Sequence, residues 1–159
     1  MNPLSTVAGR VVLVAVVQLV LVGAAVAPQL SARLAGDDYL LRVAPVDPID
    51  PFRGAYVDLD YPDLALDRET PGDRGTLFVT LVERDGVWVA SGSTRDRPDS
   101  GTYLACDDSQ WQVRCGIESL FLPQDEAAAL QEDVAGGEMV AVVKVDGRGN
   151  AAIVALEPA

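Results

Sequence analysis

The 159-residue chain has no histidine, a single lysine at Lys144 and only two cysteines. Each shortage removes a class of chemistry. Without histidine there is no His-based catalytic triad, no imidazole general base, and no donor for many transition-metal sites. With one lysine and no basic run, the clustered cations that grip nucleic-acid phosphates are missing. No acid occurs before Asp37. The 24 acids against 12 bases give a net charge of −12, and Arg10 and Arg33 precede the first acid, so the remainder of the chain stands at −14. Such a surface repels nucleic acid and anionic headgroups, and its simplest purpose is to keep a domain dispersed. Disorder is not expected, because 49% of the residues are hydrophobic and they gather into short β-rich runs.

The longest apolar run is Val11 to Ala27, VVLVAVVQLVLVGAAVA, with Gln18 its one polar side chain. At about 1.5 Å per residue it falls slightly short of a hydrocarbon core of roughly 30 Å. Val7 to Gly9 and Pro28 to Leu30 extend it, and Arg10 is placed to snorkel. Ala25-Val26-Ala27 has the small-x-small pattern of a signal-peptide cleavage site, but Pro28 would then be the first mature residue. The run is also longer than an ordinary signal core. An uncleaved anchor is therefore preferred, and no cysteine lies near its end to carry a lipid. Arg10 and the α-amino group place the amino end in the cytoplasm, although Arg33 on the other flank leaves the positive-inside balance narrow. The expectation is a single-pass cell-membrane protein, residues 1–36 forming the tip and anchor and residues 37–159 an extracytoplasmic domain.

Cys106 and Cys115 form an even pair, which in an exported domain suggests a disulfide. If Tyr103 to Cys106 and Trp111 to Ile117 pair as a hairpin, the two sulfurs meet across the strands. Two thiols without histidine make a poor zinc site.

Short strand-like runs fill the rest of the domain: Tyr39 to Val46, Tyr56 to Tyr61, Thr76 to Glu83, Val87 to Ala90, Ile117 to Leu122, Met139 to Val145 and Ala151 to Leu156. Arg84-Asp85-Gly86 reads as a hairpin turn, and Asp146 to Asn150 closes a terminal hairpin. Leu64 to Arg74 and Ser91 to Gly101 read as loops. Gln124 to Asp133, opened by Pro123, is the one soluble helix expected. The fold class is mainly β: a transmembrane helix, then a compact antiparallel barrel or sandwich with one short helix.

Gly54-Ala55-Tyr56-Val57-Asp58-Leu59-Asp60-Tyr61, entered through Pro51-Phe52-Arg53, resembles the family named for its GDYxxLxY motif, whose members look membrane-anchored and carry no assigned function. Gly54, Tyr56, Leu59 and Tyr61 match; Ala55 stands where the family has Asp. Gly116-Ile117-Glu118 with Phe121 and Pro123 resembles a second family block, departing from it at Gln124 and Asp125. Lys144-Val145-Asp146-Gly147 and the last strand resemble the closing hairpin. Gly54 suits a turn entering a strand. Strand alternation puts Leu59 and Tyr61 toward a core and Tyr56, Asp58 and Asp60 on the opposite face, the candidate surface for a ligand or partner. A purely structural role for the whole octapeptide is the preferred reading, and Ala55 strengthens it.

No catalytic residue and no cofactor is expected. An anchor followed by a β domain is similar in layout to membrane-bound signal peptidases, which carry a nucleophilic serine in a Ser-Met-x-Pro segment. The one serine in that interval is Ser31, in the wrong context, and Lys144, the sole lysine base, lies at the end of a strand. Asp47, Asp50, Asp58, Asp60 and Asp63 are dense enough to raise calcium binding, but their spacing fits no EF-hand, and no metal ligand is assigned. The leading expectation is a non-enzymatic accessory protein acting through a membrane or envelope partner. A small-ligand or cation module on the Tyr56/Asp58/Asp60 face is the alternative, followed by a diverged membrane hydrolase.

Overall fold

A computed structural model describes residues 7–45, 56–64, 72–110, 112–121 and 139–159, the side chains of Pro45, Tyr56, Val57 and Phe121 excepted. Gly54, Ala55, Asp47, Asp50, Trp111 and the helix expected at Gln124 to Asp133 lie outside the described residues.

One apolar helix leads into two antiparallel sheets. The helix α1 (Val7–Ala35) runs unbroken through Pro28 and is long and apolar enough to cross a membrane. Its side chains are exposed from Val7 to Pro28, apart from partial cover at Gly9. Gly36 alone separates it from β1 (Asp37–Pro45). The strands β2 (Tyr56–Asp60), β3 (Thr76–Arg84), β4 (Val87–Thr94), β5 (Thr102–Asp107), β6 (Ser119–Phe121), β7 (Met139–Val145) and β8 (Ala151–Pro158) follow. They form a five-stranded sheet in the order β6-β2-β1-β7-β8 and a three-stranded sheet in the order β4-β3-β5. The arrangement is sandwich-like rather than a closed barrel.

Alternation of apolar residues builds the core. Leu41 and Val43 of β1, Met139, Ala141, Val143 and Val145 of β7, Leu77, Val79 and Leu81 of β3, and Leu104 and Cys106 of β5 are all buried in one cluster. Period-two spacing sends each set to one face of its strand. Complete burial of a Leu or Val side chain contributes roughly 1.5–3 kcal/mol, so this shared face, rather than any single ion pair, holds the sheets together. Polar links then fix their relative position. Tyr39 of β1 meets Trp88 of β4 edge-on at 4.8 Å and accepts a hydrogen bond from Thr102 of β5. The Ala105 N–H donates to the Gly149 carbonyl in the β7–β8 turn at 2.8 Å.

The β3–β4 turn forms where Asp85-Gly86 predicted it, with φ of 52° and 84°, the two positive values of a type I′ hairpin. The expected loop at Ser91 begins later, because β4 continues to Thr94. A bulge at Ser91 permits this: Thr80 faces Gly92 while Leu81 faces Ala90, and the Thr80 and Ser91 hydroxyls lie 3.0 Å apart.

The disulfide between Cys106 and Cys115 is present, but the expected cysteine hairpin is only partly formed. A single bridge, Asp107 with Arg114, replaces a continuous return strand. The return limb leaves β5 after that bridge: Gly116 takes φ of 82°, and Glu118 turns its carboxylate back onto the N–H groups of Cys115 and Gly116. The limb thereby becomes a strap that reaches across to β2, and only Ser119–Phe121 resumes strand form.

Just past the same end of β5, Asp108 binds Arg95 through two hydrogen bonds of 2.9 and 2.6 Å and accepts the Gly75 N–H at 2.7 Å. The Arg95 hydrogen bonds, then that from Gly75, lower its carboxyl to a pKa of about 2. A carboxyl depressed in the folded state stabilises above its unfolded value of about 4, and the contribution is lost as pH falls through about 2. Asp108→Asn should therefore be less stable than wild type at neutral pH, and the gap in melting temperature should close between those two values. Parallel melting curves across that window would contradict the assignment.

Candidate functional site

The three sequence blocks that carry the family resemblance converge on one end of the domain, where α1 enters it. The first contact joins the octapeptide to the Gly-Ile-Glu strap. Leu59 and Tyr61 are both buried, as strand alternation predicted. The Leu59 N–H donates to the Glu118 carbonyl at 2.8 Å, and the Tyr61 hydroxyl donates to the Ile117 carbonyl at 2.7 Å. Burial, and secondarily the Glu118 carboxylate, pushes the Tyr61 hydroxyl far above the ordinary phenol range. Tyr61 therefore serves as a neutral donor and not as an acid or base. Ile117, which supplies the acceptor, is itself almost completely buried.

The second contact brings α1 onto the strap and the closing hairpin. Gln29 donates from Nε2 to the Gly116 carbonyl at 3.0 Å. Ser31 donates from its hydroxyl to Asp146 Oδ2 at 2.5 Å. Ala32, one turn before the helix end, is completely buried where α1 meets β7 and β8. Positions 29, 32 and 36 follow the three- and four-residue spacing of one helix face. At Gly36 the approach becomes too close for any side chain: a Cβ would lie 2.4 Å from the Ala32 carbonyl oxygen and 2.9 Å from the Val145 backbone. The Gly36 N–H completes the helix by donating to Ala32 O at 2.9 Å.

Asp146 organises the turn that receives the helix. It is the one buried charged side chain among the described residues, at 7% exposure. Its carboxylate accepts from the Ser31 hydroxyl, the Arg148 N–H, the Asn150 N–H and the Asn150 side-chain amide. Burial, the largest single influence, raises its pKa, but these hydrogen bonds together hold it below the usual carboxylate range. A carboxylate so surrounded stays ionised and needs no counter-cation. The Gly147 carbonyl beside it accepts from Arg97 at 2.8 Å and from the Tyr103 hydroxyl at 3.1 Å, which ties the β4–β5 segment to the same turn. On the other flank, Lys144 bonds the Gly36 carbonyl at 3.3 Å and pairs with Asp38 at 3.1 Å. A lysine at a helix C-terminus meets unsatisfied carbonyls and the negative end of the dipole.

These positions bear directly on the sequence-based candidates. Ser31 spends its hydroxyl on Asp146, and Lys144 is engaged by Gly36 and Asp38, so the two are not joined as a nucleophile and base. Asp58 and Asp60 occupy the β2 face away from Leu59. Asp58 accepts the Ser119 hydroxyl at 2.8 Å, and Asp60 accepts the Tyr61 N–H at 2.9 Å while remaining exposed. Tyr56 stands opposite Phe121 in the β2–β6 register. Asp63 pairs instead with Arg42 at 3.4 Å. Among the described residues no group of three or more Cys, Asp or Glu side chains could hold a metal ion. Sequence reasoning passed over Gln29 and Gly36 and gave Asp146 no role beyond its turn. Their only signals were a glycine placed directly after a long apolar helix and an Asp-Gly pair in the last hairpin.

The described residues thus define a β-sandwich-like domain fused without a linker to an apolar helix. A family model described as GDYXXLXY protein matches residues 18–156. The chain belongs to that family, and the matched region includes the second half of α1 together with the β domain. No curated protein and no solved structure matches the chain.

Removing Asp146 would strand two backbone donors and the Ser31 hydroxyl. Asp146→Ala should cost on the order of 2–3 kcal/mol and Ser31→Ala about 1 kcal/mol. The double variant should lose less than the sum, because both changes delete the same bond. Chemical denaturation of the full chain in detergent measures all three, and strict additivity would contradict the Ser31–Asp146 link.

Proposed function

We propose that this protein is a single-pass membrane accessory that holds its β domain in a fixed orientation outside the cell for a membrane or envelope protein partner. The observation that carries this reading is the seam at the end of α1. Gln29, Ser31, Ala32 and Gly36 all pack into the domain, so a helix able to cross a membrane continues into the domain as one body. A tether meant only to retain a domain needs no such contacts, and a flexible polar linker would serve. A fixed mount matters when the domain must meet a neighbour at a set height and angle above the bilayer.

Two features of the chain support placing the domain outside the cytoplasm. A disulfide persists in oxidising compartments outside the cytoplasm, and Arg10 at the start of α1 agrees with a cytoplasmic amino end. On this reading residues 1–36 form the tip and anchor, and residues 37–159 the extracytoplasmic domain. A non-enzymatic role is consistent with what the described polar groups do: Ser31, Lys144, Tyr61 and Asp146 are all engaged in holding the seam.

Affinity purification of the full chain from membranes solubilised in several mild detergents, after brief cross-linking, tests the proposal. It should recover one partner in near-stoichiometric amount, and Ser31→Ala combined with Asp146→Asn should reduce that recovery. Recovery of the protein alone under every condition would contradict an accessory role.

A further inference from the structure

The end of the domain that clasps α1 exposes three arginines, in a chain that is acidic as a whole. Arg33 lies on the last helical turn, Arg148 in the turn organised by Asp146, and Arg114 two residues before Gly116, which receives Gln29. All three side chains are exposed, and none has a side-chain hydrogen bond or ion pair among the described residues. The nearby acids are occupied or displaced. Asp146 is buried and saturated with donors. Glu118 is folded onto the Cys115 and Gly116 N–H groups, and Asp107 accepts the Ser109 N–H. Asp38 is paired with Lys144, and Asp37 lies beyond the end of the helix.

Helix length sets where this collar falls. The 29 residues of α1, at about 1.5 Å each, span about 43 Å, close to the 40–45 Å of a bilayer with its headgroups. Gln29 and Ser31 precede Gly36 by seven and five residues, so the loops that touch them reach roughly 8–10 Å back along the helix axis. That distance is enough to cover a headgroup layer of roughly 5–8 Å. On the helix face away from the domain contacts, Leu30 and Leu34 remain 50% and 78% exposed, apolar surface continuous with the span.

We infer that the 114–116 strap and the 146–149 turn sit within the lipid headgroup layer, with Arg33, Arg114 and Arg148 binding the phosphates of anionic lipids. The inference rests on the membrane-anchor reading. The net charge of −14 beyond residue 36 opposes lipid binding only as an average, because screening confines each charge's reach to about 10 Å. At the headgroups the three arginines are exposed, while Asp146 is buried and Glu118 is folded onto backbone N–H groups, so the guanidinium groups are free to reach phosphates and the domain is seated on the bilayer rather than suspended above it.

The test uses the full chain reconstituted in vesicles of phosphatidylcholine, with or without phosphatidylglycerol. Both native cysteines are in the disulfide, so a spin label on an introduced cysteine is selective. Three single-label variants report depth: Val16→Cys within the span, Gly147→Cys in the turn, where a Cβ meets open space, and Glu157→Cys near the far end of β8. Oxygen and aqueous nickel accessibility should place the Val16 label in hydrocarbon, the Gly147 label in the headgroups and the Glu157 label in water. Replacing Arg33, Arg114 and Arg148 by Gln should lower the preference for phosphatidylglycerol by up to about fivefold per arginine. A Gly147 label as exposed to nickel as the Glu157 label, with the Val16 label in hydrocarbon, would overturn the inference and leave the anchor reading intact. A Val16 label in water would overturn both. An unchanged lipid preference in the triple variant would overturn the role of the arginines.

Discussion

A buried carboxylate that must be satisfied from both sides is the constraint on which the helix–domain seam depends. Asp146 lies at the tip of the last hairpin, and the turn alone provides it with the N–H groups of Arg148 and Asn150 and the Asn150 amide. The remaining donor comes from Ser31, on a different element and 115 residues earlier in the chain. An ionised carboxylate removed from water is costly unless its lone pairs are engaged. Seating α1 is therefore part of what makes the closing turn acceptable, and the turn in return fixes the helix. Gly36 makes the same demand sterically, since β7 passes where its side chain would be.

The family blocks acquire a common meaning from this seam. Leu59 and Tyr61 end the octapeptide by gripping the backbone of Glu118 and Ile117. The Gly-Ile-Glu strap holds the Gln29 end of the seam, and Lys144 to Gly147 holds its Ser31 and Gly36 end. The disulfide belongs to the same system, because Cys115 starts the strap and Cys106 secures it to the core through β5. Segments widely separated in sequence are thus parts of one joint. The match of the family across residues 18–156, beginning inside α1, agrees with the helix and the domain being a single unit.

Much of the fold was legible because it rests on local rules. Short apolar runs announced β1, β3 and β7, alternation in the octapeptide announced that Leu59 and Tyr61 are buried, Asp85-Gly86 announced its hairpin, and the run from Val11 to Ala27 announced the helix. Errors arose where a long-range contact overrode local propensity. The return limb after Cys115 reads as a strand, yet Glu118 bends it away to meet β2. Ser91 reads as the start of a loop, yet a bulge and a pair of hydroxyls keep it in the sheet. The candidate site was the least legible part. Asp58 and Asp60 stand out by residue type, whereas Gln29, Ser31, Gly36 and Asp146 look ordinary until the chain brings them together. The arginine collar was hidden for the same reason, as Arg33, Arg114 and Arg148 form no run in sequence.

That helix and domain move as one body is the central claim, and an inter-label distance measures it most directly. With spin labels at Gly23→Cys, where a side chain meets open space, and Glu157→Cys, double electron–electron resonance on the full chain in lipid nanodiscs reads the angle between α1 and the sheet. A single narrow distance is predicted, broadening when Gly36→Val forces the helix away from β7. A broad distribution in the chain carrying only the labels would show that the domain swings freely on its helix, and would contradict the account.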